Sequence, residues 1–159
     1  MASASSAVVE STERELTITR LFYAPRDLVF KAWSEPERQA QWLGPKGFST
    51  ISVQMEGRVG GSYRLGMRAP DGSAHWLCGV HREIVEPERL VFTSYWEDAD
   101  GKPGHETLIT LTFEDVGGKT KLTLYQTGFE SVTSRDQHHG GWSSNLDKLA
   151  DYLATARRN

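Results

Sequence analysis

The stretch HETLITLTFEDVGGKTKLTLYQT, residues 105–127, indicates most clearly how this chain folds. Apolar side chains alternate with Thr and charged residues on both sides of Gly117-Gly118, which is typical of β-strands with one buried face. A glycine pair between two such runs favours a tight hairpin, because glycine readily adopts positive φ. The inward-facing residues are Ile109, Leu111, Phe113, Thr120, Leu122 and Leu124. The sequence therefore predicts an antiparallel hairpin here.

The period of the apolar residues changes after this hairpin, from two to about 3.6. A stripe at steps of four, three and four predicts one face of a long amphipathic helix. We expect Thr133, with Asp136 three residues later, to cap its N-terminus. The residues of the stripe are Trp142, Leu146, Leu149 and Leu153.

Five further strands and two short helices are predicted before the hairpin. Pro25 suits the first turn of one helix, because its missing N–H is not needed there. Ser34 with Glu37 has the form of a capping box and predicts a second short helix to about Trp42. Alternating apolar residues predict strands over 14–23, 50–55, 60–68, 74–85 and 90–97. The order β-α-α-β6-α predicts an α+β domain with a seven-stranded antiparallel sheet.

This element count has a geometric consequence. A sheet of seven strands twists and curls, and one helix about 10 Å wide does not fill the resulting concavity. We therefore expect either large side chains or a cavity between the sheet and the C-terminal helix.

Composition narrows the function classes. The chain has 159 residues, a net charge of −3 and one cysteine, Cys78, which we expect to be a buried filler. No basic stripe and no long apolar run occur, so we expect neither nucleic-acid binding nor membrane insertion. Residues 1–12 are predicted as a disordered tail without a secretory signal, 13–159 as one domain, and the location as cytoplasmic. The oligomeric state stays open, a homodimer included.

The histidines suggest no metal site, and no cofactor is predicted. His138 and His139 are adjacent, so on a helix their rings diverge by about 100°. His75 and His81 share one strand face, but about 20 Å of strand separates them, which we interpret as too far to act together.

Ordered blocks along the chain resemble a known family. They are YAPRDLVFKAW (23–33), WLGPKGF (42–48), GG (60–61), MRAPDG (67–72), EIVEPERLVFT (83–93), GW (141–142) and LDKL (146–149). Together, from about Glu13 to Ala154, they resemble the bacterial branch of the START-like (SRPBCC, Bet v allergen-like) superfamily named after the activator of the heat-shock-protein-90 ATPase. The resemblance implies a helix-grip fold, in which a curved sheet wraps the C-terminal helix around a deep pocket.

The leading hypothesis is the binding of a small hydrophobic or aromatic molecule in this pocket, for carriage, sequestration or sensing. Tryptophans and other large side chains typically form such apolar walls, although core filling is the alternative for each of them. The predicted ligand-binding residues are Trp42, Tyr63, Met67, Trp76, Trp96, His105, Trp142 and Leu146.

Two other functions are alternatives to ligand binding. The superfamily includes polyketide cyclases and aromatases, so the chain could catalyse cyclisation or dehydration, with His105, Tyr63 or Tyr95 moving protons. A third hypothesis is a co-chaperone that stimulates a heat-shock ATPase. In the eukaryotic co-chaperone this type of domain follows a separate N-terminal domain, which we expect to be missing here.

Overall fold

Seven strands and three helices make up the part of the chain, residues 14–158, that the computed structural model describes. The predicted tail lies outside these residues. The predicted α+β order β-α-α-β6-α is confirmed. The elements are β1 (Leu16–Phe22), α1 (Arg26–Ser34), α2 (Pro36–Gln39), β2 (Ser49–Met55), β3 (Ser62–Arg68), β4 (Ala74–Val85), β5 (Arg89–Trp96), β6 (Thr107–Val116), β7 (Lys119–Thr127) and α3 (Val132–Arg158).

All neighbouring strands are antiparallel, in the order β1-β7-β6-β5-β4-β3-β2. The hairpin of β6 and β7 has the predicted inward face, with Leu111 opposite Leu124 and Phe113 opposite Leu122. These four side chains are fully buried. Because β1 pairs with β7, the chain returns to its own start and leaves β2 at the far edge of an open, curved sheet.

Two predicted helix caps are wrong. Ser34 is the last residue of α1, so it does not cap α2. Glu35 takes the N-cap position without a side-chain cap hydrogen bond, and Pro36 takes the first helical position. The start of α3 is capped by Ser131, whose hydroxyl accepts a hydrogen bond from the backbone N–H of Ser134 at 3.0 Å. Thr133 lies inside α3 and is not its cap.

The C-terminal helix covers only part of the concave face. Leu146, Leu149 and Leu153 are fully or almost fully buried, and α3 contacts β1 at one side of the sheet. The concave face of β3, β4 and β5 therefore remains available to form a cavity.

None of the helices within residues 14–158 combines the length and the hydrophobicity of a transmembrane span.

Candidate functional site

A cavity of about 460 Å³ lies between the β3–β5 part of the sheet and the helices. One wall comes from the strands, and the other comes from α1, α2, the segment that follows α2, and α3. Apolar and aromatic side chains dominate both walls. Those that line it include Trp33, Trp42, Leu43, Phe48, Met55, Tyr63, Leu65, Met67, Leu77, Phe92, Trp96 and Trp142.

Three tryptophans form the helical wall. The rings of Trp33 and Trp42 meet edge to face with centroids 4.6 Å apart, and Trp33 lies 5.8 Å from Trp142. The Trp42 indole also donates a hydrogen bond to the carbonyl of Ala32 at 3.1 Å. Edge-to-face aromatic pairs hold their rings in defined orientations. The cavity thus has a firm aromatic wall contributed by two helices and the segment after α2.

A chain of buried hydrogen bonds connects this wall to the sheet. The indole nitrogen of Trp142 donates to the side-chain oxygen of Gln126 at 2.8 Å. The Gln126 amide donates to the Thr107 hydroxyl at 2.8 Å, which donates to the carbonyl of Ser94 at 3.3 Å. These bonds satisfy polar groups whose burial would otherwise be costly, so α3 is held at a defined distance from β5, β6 and β7.

The sheet wall is centred on His81. Its ring lies 5.4 Å from Tyr63 and 5.7 Å from Phe92. Burial lowers the pKa of His81 from its ordinary value, because the charged imidazolium is poorly solvated there. Burial likewise raises the pKa of Tyr63, whose hydroxyl donates to the carbonyl of Thr93 at 2.6 Å. Both groups are therefore neutral near pH 7.

The mouth of the cavity lies between β4, β5 and the first turns of α3. Trp96 is 36% exposed, and its indole nitrogen donates to Nε2 of His138 at 3.3 Å. Since Nε2 accepts, Nδ1 carries the proton and donates to the carbonyl of Ser134 at 2.8 Å. His75 is exposed on the same side, 6.3 Å from the Trp96 ring. The cavity therefore reaches the surface beside a partly exposed indole.

A partly buried lysine positions the segment that closes the other side. The Lys148 ammonium donates to the carbonyls of Leu43 and Phe48 at 2.9 and 3.3 Å. Burial lowers its pKa. Because Leu43 and Phe48 both line the cavity, Lys148 ties this part of the wall to α3.

Four buried side-chain atoms, all in residues that line the cavity, have no hydrogen-bond partner in the described part of the chain. They are Nε1 of Trp33, Oε1 of Gln39, Nδ1 of His81 and Oδ1 of Asn145. Each residue is only 4% to 7% exposed. Buried polar atoms without partners are rare in folded proteins, and here all four belong to residues that line one cavity.

Five of the eight predicted ligand-binding residues line this cavity: Trp42, Tyr63, Met67, Trp96 and Trp142. Trp76 does not. His75 and Leu77 of the same strand face the cavity, so the side chain between them points to the opposite face. There its ring covers Gly66 and lies under the guanidinium of Arg64, 3.8 Å from the ring centroid.

His105, Leu146 and Tyr95 also lie away from the cavity. His105 precedes β6 and shares a hydrogen bond with the carbonyl of Gly128, in a separate surface depression beside Phe129. Leu146 is fully buried in the core. Tyr95 pairs with Cys78 in the β4–β5 ladder and does not line the cavity. The three residues considered for proton transfer, His105, Tyr63 and Tyr95, therefore do not converge. Only Tyr63 lines the cavity.

Several lining residues were not among the predicted site residues. His75 and His81 were interpreted as too far apart to act together, yet both face the same elongated cavity. His75, Leu77 and His81 stand at even spacings in one strand, and this pattern indicates that their side chains share one face of the sheet. Gln39, Gln126 and Asn145 resemble ordinary surface polar residues in the sequence, and only the fold shows that they are buried.

The comparisons with known proteins agree with this architecture. The sequence model of the family described as Activator of Hsp90 ATPase homolog 1-like protein matches residues 23–154. The chain belongs to this family. Together with its fold, this places it in the START-like (SRPBCC) superfamily, whose members commonly bind hydrophobic ligands.

Solved structures extend the likeness over most of the chain. A protein from Chromobacterium violaceum is 27% identical with a TM-score of 0.80, over 88% of this chain and 96% of that one. The AHSA1 protein from Silicibacter pomeroyi is 26% identical with a TM-score of 0.82, over 89% and 99% of the two chains. No curated protein matches the sequence. The family match and these structures therefore establish the family and the fold of this chain.

Proposed function

We propose that this protein binds a small hydrophobic or aromatic molecule between β3–β5 and α3, for carriage, sequestration or sensing. The observation that carries the proposal is the cavity of about 460 Å³ with its aromatic walls. Ligand sites in proteins span roughly 300–1,000 Å³ and are mainly apolar with a few polar groups. This cavity matches that description in size and in chemistry.

The positions of the aromatic rings support an aromatic or flat apolar ligand. Trp33 and Trp142 contribute rings from the helices, and Tyr63 and Phe92 contribute rings from the sheet. Tyr63 and Phe92 meet edge to face at 5.7 Å. A flat molecule between these walls can make offset or edge-to-face contacts with several rings at once. The cavity opens to the surface beside the partly exposed Trp96, and the ligand enters there.

A fluorescent apolar probe tests the proposal. We expect N-phenyl-1-naphthylamine to bind saturably, with the rise in emission that follows transfer from water to an apolar site, and one molecule per chain by native mass spectrometry. Leu77→Trp should abolish binding, because Leu77 faces the cavity and the larger side chain fills it. Leu108→Trp is the matched control, because Leu108 is exposed and does not line the cavity.

Two results would refute the proposal. One is a protein that binds neither this probe nor any member of a broad library of small apolar molecules. The other is equal binding by wild type and by a folded Leu77→Trp variant, which would place the ligand elsewhere. Circular dichroism spectra of both variants show whether they keep the native fold.

The arrangement of the three residues that the sequence suggested for proton transfer gives no support to the cyclase alternative. A cyclase needs such groups beside the ligand. Of the three considered, only Tyr63 lines the cavity, and its hydroxyl is already bonded to the Thr93 carbonyl. A co-chaperone would instead act through its surface, and a stimulation assay with a heat-shock ATPase distinguishes that function from ligand binding.

A further inference from the structure

The four residues whose buried atoms lack partners are spread over both walls of the cavity. Trp33, Gln39 and Asn145 belong to α1, α2 and α3, and His81 belongs to β4. All four residues are more than nine-tenths buried, yet the surrounding protein offers these atoms no hydrogen bond. A wall built only to contact hydrocarbon would not carry them, because each buried polar atom without a partner lowers stability.

The four atoms differ in what they require. An indole N–H only donates, so Trp33 needs an acceptor. The side-chain oxygens of Gln39 and Asn145 only accept, so they need donors. The ring nitrogen of His81 serves either role, depending on its tautomer. A hydroxyl group answers both kinds of demand, because it donates one hydrogen bond, to one of the two side-chain oxygens, and accepts up to two more, one of them from the indole.

Charge on the lining argues against an anionic ligand. Among the described residues that line the cavity there is no lysine or arginine, and Glu130 is acidic. The lowered pKa of His81 keeps this side chain neutral near pH 7. A carboxylate would lose its hydration without gaining a counter-charge, and it would bring two acceptors towards the oxygens of Gln39 and Asn145.

We infer that the ligand is a neutral hydroxylated aromatic molecule, whose hydroxyl hydrogen-bonds to the side chains left without partners on the cavity. The inference rests on the proposed function, since it specifies the occupant of the same cavity. The aromatic body packs between the two walls, and the hydroxyl supplies the donor that Gln39 or Asn145 lacks and the acceptor that Trp33 lacks. Selectivity arises because a ligand without the hydroxyl covers these atoms and leaves them unsatisfied.

Four probes with one aromatic body test the inference. They are biphenyl, 4-methoxybiphenyl, 4-hydroxybiphenyl and biphenyl-4-carboxylate, titrated by calorimetry or by quenching of tryptophan fluorescence at pH 7. The methoxy and hydroxy compounds both carry an oxygen acceptor, and only the hydroxy compound donates. We expect 4-hydroxybiphenyl to bind about ten times more tightly than each of the other three, the effect of one well-formed hydrogen bond in a buried site.

Variants identify the atoms responsible. Gln39→Leu and Asn145→Leu remove the two oxygens that need donors, and in the double variant we expect the preference for hydroxyl over methoxy to fall to about twofold or less. Because these oxygens are buried without partners, the leucines should not lower stability. Gln54→Leu is the control: Gln54 is exposed on β2 and does not line the cavity, so the preference should stay unchanged.

The outcomes separate this inference from the proposed function. A hydroxyl preference that disappears in the double variant supports the inference. Equal binding of biphenyl, 4-methoxybiphenyl and 4-hydroxybiphenyl overturns it while leaving an apolar-ligand site intact. Tightest binding of the carboxylate also overturns it. If no biphenyl binds while N-phenyl-1-naphthylamine does, the hydroxyl inference fails alone, and if neither type binds, both proposals fail.

Discussion

Trp142 of α3 donates a hydrogen bond from its indole nitrogen to the side-chain oxygen of Gln126 in β7, at 2.8 Å. Gln126 is 1% exposed, so this oxygen depends on Trp142 for its partner. The bond links the helix to the sheet at the edge of the cavity. It therefore contributes both to the stability of the domain and to the spacing of the two walls.

Replacing Trp142 with Phe tests this bond. The variant keeps an aromatic ring but leaves the Gln126 oxygen buried without a donor, and we expect the free energy of unfolding to fall by about 1–3 kcal/mol. Trp96→Phe is the control, because the Trp96 indole bonds at the exposed mouth, and its cost should stay within about 0.5 kcal/mol. Urea denaturation at pH 7 measures both values, and equal costs would contradict the assigned role of Gln126.

His81 should make stability depend on pH. Its pKa is lowered in the folded state, so below about pH 6.5 the unfolded chain binds a proton that the folded chain does not. The free energy of unfolding therefore falls as the pH drops from 7 towards 5, with a slope of at most about 1.4 kcal/mol per pH unit from this group. Above pH 7 the two states bind the same number of protons at this site, and the contribution is constant.

The variant His81→Gln isolates this contribution. It should flatten the fall in unfolding free energy between pH 7 and 5, as measured by urea denaturation at several pH values. His139→Gln is the matched control, because His139 is exposed on α3. Should the two variants show the same slope as wild type, desolvation of His81 would not govern the acid response.

Replacing glycine with alanine should have opposite effects on stability at Gly79 and at Gly140. A Cβ on Gly79 would overlap the Thr93 carbonyl oxygen and lie 2.7 Å from the Tyr63 ring, so the β4–β5 ladder would have to shift. We expect Gly79→Ala to lower the unfolding free energy by about 3 kcal/mol. A Cβ on Gly140 in α3 meets nothing within 4 Å, and Gly140→Ala should raise stability by about 0.5–1 kcal/mol. Thermal denaturation distinguishes them, and a destabilising Gly140→Ala would show that α3 is constrained there.

The strands could be predicted from the sequence because their period of two is a local property. Leu111, Phe113, Leu122 and Leu124 alternate with polar residues, and the Gly117-Gly118 turn sets their pairing without help from distant segments. The long helix was equally accessible, because its leucines repeat along one stripe. The first residues of α2 and α3 were harder to predict from the sequence, because several neighbouring residues are of types that commonly cap helices.

The cavity side chains were harder to predict because they depend on register between strands. Trp76 lies opposite Gly66 in the β3–β4 ladder, and this pairing directs its ring to the outer face. A shift of one residue would have turned it inwards. The burial of Asn145 is harder still to predict. It is next to Leu146 in a helix, and only packing against the other elements of the cavity wall buries it. Register and closure are tertiary properties that local patterns do not contain.

Cys78 should react slowly with alkylating reagents. Its side chain is buried, and burial, followed by the nearby Glu97 carboxylate, raises the pKa of the thiol. Because the thiolate is the reactive form, iodoacetamide at pH 8 should modify Cys78 at least about ten times more slowly in the folded protein than in urea. Mass spectrometry of the alkylated protein over time measures both rates.

Glu97→Gln separates the two causes. The variant removes the negative charge 3.6 Å from the Cys78 sulfur and leaves Arg64, which pairs with Glu97 at 2.8 Å, as the nearest charge. The pKa of the thiol should then fall, and the pH at which alkylation is half-maximal should fall with it. Glu114→Gln is the control, because Glu114 is exposed on β6 and pairs with Lys121 of β7 at 3.9 Å, and it should leave that pH unchanged. An unchanged pH in Glu97→Gln would mean that burial alone sets the reactivity of this thiol.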